Sequence, residues 1–329
     1  MAPGTKPKPK VTVPLRHCFN KPSADVVLRS SDKVDFHVHR AVLSDASSVF
    51  EAMFALPQEP SASGEGEPSL PIVPMQENAE TLHLLLGVLY PGKGPSIKSP
   101  SRASDLLAVA DKYAMDGVVA HVRRVLESSG FLDEGYFWVM AVYAIARRHN
   151  FTKLAAKAAH ASLKHPLLDL SLTGLAAMSA EHYHDLRTFR EACVCLFDYY
   201  SPGDDEPDES WDMTIEEVWN SVDPDERFNC NRRDFGEDVV LLNLDECDDC
   251  RGRLWFRLHL HRLRNAFSKN VSGASLQDSK LVDQTVANIG DCDDCRQKVP
   301  MELLEYNRRL GDQLDLELTS MNFWSHVLK

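Results

Sequence analysis

Four cysteines carry the chemistry this sequence displays most openly. Cys247-Asp248-Asp249-Cys250-Arg251 recurs as Cys292-Asp293-Asp294-Cys295-Arg296. Two thiolates with two residues between them can hold one ion at about 2.3 Å, and two such pairs complete a tetrahedral zinc site. The 41 residues between Cys250 and Cys292 exceed the roughly 15–20 of a zinc ribbon, but a helical hairpin can span them. Phe256, Leu260, Leu263 and Phe267 share one helical face after the first pair. Leu303, Tyr306, Leu310, Leu314, Leu318 and Met321 do so after the second. Structural zinc would then pin the bases of two packed helices, which suits a unit with a limited core.

Charge works against that site. Asp248, Asp249, Asp293 and Asp294 crowd a centre whose four thiolates already outweigh the ion, and Arg251, Arg296 and the nearby helix N-termini offset only part of this. Unpaired reduced thiols and a chance duplication of a short acidic string stay open beside zinc. A redox Cys-x-x-Cys would need a thioredoxin-like β-α-β context, which these helical flanks do not offer. Cys18, Cys193, Cys195 and Cys230 have no partner at ligand spacing and read as packing or surface thiols.

The histidines offer less. His37 and His39 share one face of a strand, yet His39 also stands where a helix opens. His259 and His261 are two apart on a helical pattern and point to different sides, a poor chelate. His182 and His184 lack an acidic or cysteine partner at motif spacing and read as surface residues. No Ser/His/Asp or Cys/His set has recognisable local context, so an enzyme would have no nucleophile or base here. Gly92-Lys93-Gly94 lacks the spacing of a phosphate-binding loop.

The elements that must position these groups follow from composition. Of the net charge of −13, residues 201–250 hold 18 acids against three arginines, leaving 31 acids and 33 bases elsewhere. Residues 251–270 follow with Arg251, Arg253, Arg257, Arg262, Arg264 and Lys269 and no acid. Such blocks read as a solvated linker and helix face; the sharper reading is an acidic segment masking a basic helix. MAPGTKPKPK has no apolar core, so secretion is not expected and the thiols should be reduced, in the cytoplasm or nucleus. No apolar run approaches the ~18 residues of a membrane span. PQEPSASGEGEPS (57–69) is low-complexity and reads as a loop.

Residues 25–54 pattern most sharply. Val27 and Leu28 open a β run, Ser30-Ser31-Asp32-Lys33 supplies a turn, and Val34, Phe36 and Val38 alternate with Asp35 and His37 as in a half-buried strand. Val42, Leu43 and Ala46 then fall at helical spacing. Ser47 or Ser48 can cap a second helix, whose Val49, Phe50, Met53 and Phe54 form one apolar face. An apolar strand at Leu70-Pro71-Ile72-Val73, a helix at 78–90 and the string DLLAVADKYAMDGV at 105–118 follow. Helical patterns continue at 134–149, 151–164 and 185–199.

The order Asp25, Phe36, His39, Arg40, Val42, Leu43, Ser48, Phe50, Met53, Phe54, with Leu107, Ala110, Lys112 and Tyr113 downstream, resembles a BTB/POZ domain. The resemblance covers residues 21–128. It implies an α+β BTB/POZ fold, a short β-sheet covered by helices, followed by a mostly α-helical C-terminal region. The arrangement is similar to fungal-type BTB proteins with a helical extension. The chain accordingly divides into a disordered basic tail (1–20), the BTB/POZ domain (21–128), a helical extension (129–200), an acidic linker (201–246) and a Cys-x-x-Cys paired helical hairpin (247–329).

The resemblance implies association with protein partners and no catalysis. Asp25 and Arg40, with His39 between the hairpin and the helix, match positions where dimeric members place an acid–base pair near the intersubunit groove, so a self-associating homodimeric scaffold is expected. Val49, Phe50, Met53 and Phe54 are expected in the domain's own core. The alternative is a substrate adaptor of a cullin-type ubiquitin ligase, although the apolar-x-Glu element reads only weakly in ALPQEP, with Pro57 before Glu59. A zinc-dependent DNA-binding regulator ranks below both, because the C-terminal half is acidic and phosphates repel it.

Overall fold

The computed structural model describes residues 19, 21–56, 70–90, 92, 96–166, 178–200, 252–287 and 293–327, with backbone alone at 199–200, 252–257, 293–295 and 327. It divides into two compact units, Met1–Ser129 and Gly130–Lys329.

The first unit is built on a three-stranded sheet of order β2-β1-β3. Strands β1 (Val26–Arg29) and β2 (Asp35–Val38) form the expected hairpin, with Val26 opposite Val38 and Arg29 opposite Asp35. Lys33 takes a left-handed φ of 66° in the turn, and the Ser30 hydroxyl accepts from Val34 N–H at 2.9 Å. Strand β3 (Ile72–Pro74) joins β1 in parallel. Parallel pairing needs a crossover, which here carries α1 (Arg40–Ala46) and α2 (Ser48–Ala55).

Among the described residues this unit has three further helices: α3 (Ala79–Leu89), α4 (Pro100–Lys112) and α5 (Asp116–Ser128). Each start has a chemical reason. Ser47 caps α2, accepting from Phe50 N–H at 3.1 Å, and its hydroxyl also donates to the Tyr113 carbonyl. Asn78 caps α3 through Thr81 N–H, while Asp32 reaches across from the hairpin to Ala79 N–H at 2.8 Å. These caps each stabilise by about 1 kcal/mol and lock the hairpin turn to α3. The core is Val26, Leu28, Phe36, Val38, Leu43, Phe50, Leu82, Leu85, Leu86, Leu106 and Leu107, none more than 1% exposed.

The second unit is helical throughout its described residues. A 3₁₀ turn (Gly130–Leu132) leads into α6 (Tyr136–Arg148) and α7 (Thr152–Ser162). Ala144, Ala146, Ala155, Ala158 and Ala159 are buried along this pair, and side chains of that size let two helices approach closely. Then come α8 (Ala180–Tyr200) and α9 (Gly252–Lys269), followed by a second 3₁₀ turn (Gly273–Leu276). The unit ends with α10 (Ser279–Val286), α11 (Asp293–Ser320) and α12 (Phe323–Val327).

The apolar faces expected after each cysteine pair are buried at Leu260, Leu263, Phe267, Leu303, Tyr306, Leu310, Leu314 and Leu318. The connection between the two helices differs from a hairpin. His259 of α9 meets Asn307 of α11, and the turn beyond the end of α9 meets Gly311 and Asp315, further along α11. The two helices therefore run in the same sense. The intervening turn and α10 carry the chain back, so α11 starts again from the end where α9 began. Among the described residues no helix is long and apolar enough to cross a membrane.

Candidate functional site

The residues singled out at the hairpin meet at the start of α1. Asp25 Oδ1 accepts the main-chain N–H of Arg40 at 2.7 Å, so its charge sits at the positive end of the helix. His39 is the residue just before that helix. Its main-chain N–H donates to the Tyr90 hydroxyl at 2.8 Å, and its ring lies between Tyr90 Oη (3.2 Å from Nδ1) and Ser23 Oγ (3.0 Å from Nε2). Asp25 and Arg40 are thus joined through main chain. The Arg40 guanidinium lies over the Phe54 ring, 5.3 Å from its centroid.

Ser23, His39 and Tyr90 invite comparison with a nucleophile–base–orienter row. Tyr90 Oη accepts from His39 N–H, and either it or Nδ1 can be the donor between them, so the tautomer decides which way Nε2 and Ser23 Oγ share a proton. Burial pushes the Tyr90 hydroxyl above its ordinary range, so it stays protonated. A phenol rather than a carboxylate stands behind the imidazole, and the row fixes the start of helix α1.

A second knot holds α4. Tyr113 stacks on Phe50 with centroids 4.9 Å apart and donates to Glu77 Oε2 at 3.2 Å. Lys112 Nζ donates to Glu77 Oε1 at 2.7 Å and to Gln76 Oε1 at 3.0 Å. The Lys-Tyr pair recognised in the sequence thus clamps the loop between β3 and α3.

What remains accessible is α2. Of Val49, Phe50, Met53 and Phe54, only Phe50 is fully enclosed; Met53 and Phe54 are half-buried. Val49 is 38% and Leu56 66% exposed, and Ala52 and Ala55 are exposed as well. A two-turn helix at the rim of a small sheet can turn only one large side chain inward. The rest of its apolar surface faces outward, with Glu51 the sole charge on it.

The other sequence candidates divide. Cys247, Cys250 and Cys292 lie outside the described residues; Cys295 falls in the first turn of α11, with backbone alone described. Among the described residues no group of three or more His, Cys, Asp or Glu side chains is placed to hold a metal. Cys193 is fully buried, and burial pushes its thiol far above the ordinary range, as a packing cysteine requires. The masking of the basic helix by residues 201–250 also concerns residues outside those described. Two of its arginines have nearer partners: Arg262 donates to Thr285 Oγ1 at 3.1 Å, and Arg264 grips Asp198 with NH2–Oδ2 at 2.7 Å.

Two buried polar arrangements had no sequence signal. His259 is wholly buried between Thr285 Oγ1 and Asn307 Oδ1, each at 2.8 Å. Arg190, 5% exposed, donates to the carbonyls of Ser162, Leu163 and His165 at the end of α7 and of Ser268 and Lys269 at the end of α9. It is a cation placed on two helix C-termini at once, where the macrodipoles favour it. Burial lowers its affinity for the proton, and five carbonyls keep it charged.

This geometry, a hairpin feeding paired helices with a parallel third strand, defines a BTB/POZ domain, and residues 15–130 match that domain family. Residues 15–130 therefore carry a BTB/POZ domain, and such domains are protein-interaction modules rather than catalytic ones. The chain's relatives include mouse (Mus musculus) proteins. TD and POZ domain-containing protein 3 is 34% identical over 84 residues, 26% of this chain and 21% of that protein. TD and POZ domain-containing protein 5 is 32% identical over 84 residues, 26% of this chain and 23% of that protein. TD and POZ domain-containing protein 2 is 26% identical over 151 residues, 46% of this chain and 38% of that protein. The matches thus span well under two thirds of these curated relatives.

Proposed function

We propose that this protein is a self-associating scaffold whose α1–α2 surface joins two copies and whose helical C-terminal unit offers a second contact module. The observation that carries this reading is α2, an apolar helix with only Phe50 turned fully inward. Exposed apolar surface concentrated on one element is the usual mark of a protein interface. Arg40 over Phe54 adds a cation–aromatic pair of the kind interfaces favour. Light scattering on the purified chain at tens of micromolar tests it; a mass of one chain throughout the concentration series removes the homodimer. A fungal-type pairing of domain and helical extension, and a cytoplasmic or nuclear location, belong to this proposal as expectations from the sequence alone.

A second reading, substrate adaptor of a cullin-type ubiquitin ligase, draws on Leu56, 66% exposed directly after the Met53-Phe54 pair. A cullin pull-down separates the two. The DNA-binding reading has less support, because Arg264 pairs with Asp198 at the surface and Arg262 donates to Thr285 Oγ1.

For Cys247, Cys250, Cys292 and Cys295 the proposal remains structural zinc. Support comes from the common sense of α9 and α11. At about 1.5 Å per residue, Gly252 and Cys295 precede the His259–Asn307 contact by roughly 10 and 18 Å, toward the same end. Metal analysis finding no stoichiometric zinc, with the melting of the chain unchanged by chelator, rejects the site.

A further inference from the structure

Helix α12 has five residues (Phe323–Val327), too few to hold a helix unaided. Its form is set by Asn322, whose side chain accepts from Trp324 N–H at 3.1 Å and whose carbonyl accepts from Ser325 Oγ at 2.8 Å. Phe323 has no exposed surface. It stands edge-on to Phe189 at 5.2 Å and to Tyr143 at 6.0 Å. The Arg147 guanidinium lies 5.8 Å from the Phe323 ring and 5.1 Å from that of Trp324. Arg147 is itself held by Asp185 at 2.6 Å. His160 Nε2, 3.0 Å from the Met321 carbonyl, fixes the main chain where the segment enters.

Every one of these receiving groups belongs to α6, α7 or α8. The slot is built by that helical trio, and residues 321–327 contribute one enclosed aromatic, a second ring on a cation, and one main-chain acceptor. Those are the proportions of a helical peptide anchored in a groove rather than of a core helix. Here the peptide is covalently attached. We propose that Phe323–Val327 is a clasp, a tethered ligand of the α6–α8 slot, and that when released its place is taken by the same segment of a second copy. An exchanged segment regains every contact it had in its own chain, so the exchange carries no loss of native interactions. The slot also selects its occupant. Arg147 favours an aromatic pair, and His160 demands a free carbonyl two residues before the first ring.

The test uses the full chain and a fluorescent synthetic peptide of residues 318–329. A Phe323→Ala chain, its slot vacated, should bind the peptide saturably and at least tenfold more tightly than the wild-type chain. Adding Arg147→Ala to Phe323→Ala should reduce that binding by about tenfold. A folded Phe323→Ala chain that binds no peptide, or binds it no better than wild type, overturns the proposal. Should Phe323→Ala fail to fold, hydrogen exchange on the wild-type chain decides. The amides of Phe323–Val327 should exchange at least tenfold faster than those within α6 and α8, and equal protection rejects a releasable clasp.

Discussion

Gly273 and Gly311 meet main chain against main chain. A Cβ built on Gly273 would lie 2.1 Å from the Gly311 carbonyl oxygen, and one on Gly311 would lie 2.7 Å from that of Gly273. Beside this contact the Gly273 N–H donates to Asp315 Oδ1 at 2.6 Å, which registers the 3₁₀ turn on α11. A glycine inside a 28-residue helix ordinarily costs about 1 kcal/mol relative to alanine, so Gly311→Ala on a free helix would stabilise. Here the added methyl strikes backbone, which cannot swing aside. Gly311→Ala should therefore destabilise by about 1–3 kcal/mol, read as a lower denaturant midpoint, with Gly273→Ala at least as damaging.

Arg190 makes a comparable demand on α8. Replacing it with Met keeps much of the volume but takes a charged donor from five carbonyls at the ends of α7 and α9; Ser162 and Leu163 keep a main-chain donor each, from His165 and Val271. Loss of buried, charge-assisted hydrogen bonds of this kind costs about 3 kcal/mol or more. Arg190→Lys should fall between wild type and Arg190→Met, because an ammonium has three donors and no planar fork. Urea melts of the three proteins check the order.

These two contacts also mark where reading the sequence ends. The hairpin, the paired helices and the helix carrying Lys112 and Tyr113 were legible because local periodicity and residue order encode them; the grip of that pair on Glu77 was not. Phe36 and Val38 point inward for the same reason that they alternate with Asp35 and His37. Arg190 and His259 were opaque. Each is a polar residue on an amphipathic helix, and its partners lie 25 to 79 residues away in the chain, beyond what spacing can report. The apolar face of α2 misled in another way. Val49, Phe50, Met53 and Phe54 share a helical side, but periodicity cannot distinguish a face that is covered from one left open. The direction of α9 and α11 was hidden too, since it depends on a glycine contact that no local pattern announces.

His259 makes the C-terminal unit sensitive to acid. Thr285, Asn307 and the Arg262 guanidinium face it, and no carboxylate is among its contacts in the described residues. Burial, aided by Arg262, holds its affinity for protons below the ordinary value of 6.5 in the folded chain. On acidification below about 6.5 the unfolded chain therefore takes up the proton first. Stability falls with each further step of acid, by at most about 1.4 kcal/mol per pH unit for this one group. Thermal unfolding followed from pH 7.5 down to 5 should show the loss, and His259→Gln should reduce its slope. An identical profile in that variant assigns the acid sensitivity elsewhere.

Ala114 holds a left-handed φ of 49° at the turn from α4 to α5, where Met115 N–H donates to the Ala110 carbonyl at 2.8 Å. The side chain is exposed and contributes no core packing. For an L-residue that conformation costs about 1–2 kcal/mol, of which glycine's greater freedom in the unfolded chain returns part. Ala114→Gly should stabilise the BTB/POZ unit by about 0.5–1 kcal/mol, seen as a rise in its melting temperature. Ala114→Val should do the opposite, since a β-branched side chain tolerates positive φ least.

Helix α2 separates what holds the domain from what the domain holds. Phe50 is wholly enclosed, 4.9 Å from Tyr113 and 5.8 Å from Phe54, so Phe50→Ala should cost about 3–5 kcal/mol and lower the melting temperature sharply. Leu56, one turn and a half further on, is 66% exposed, and Leu56→Glu should leave the melting of a single copy within about 0.5 kcal/mol of wild type. The same charge placed in a dimer interface would be desolvated without a partner, which self-association cannot tolerate. Light scattering should therefore report single chains for Leu56→Glu under conditions where wild type pairs. A variant that still pairs, with its melting unchanged, would move the contact surface away from the end of α2.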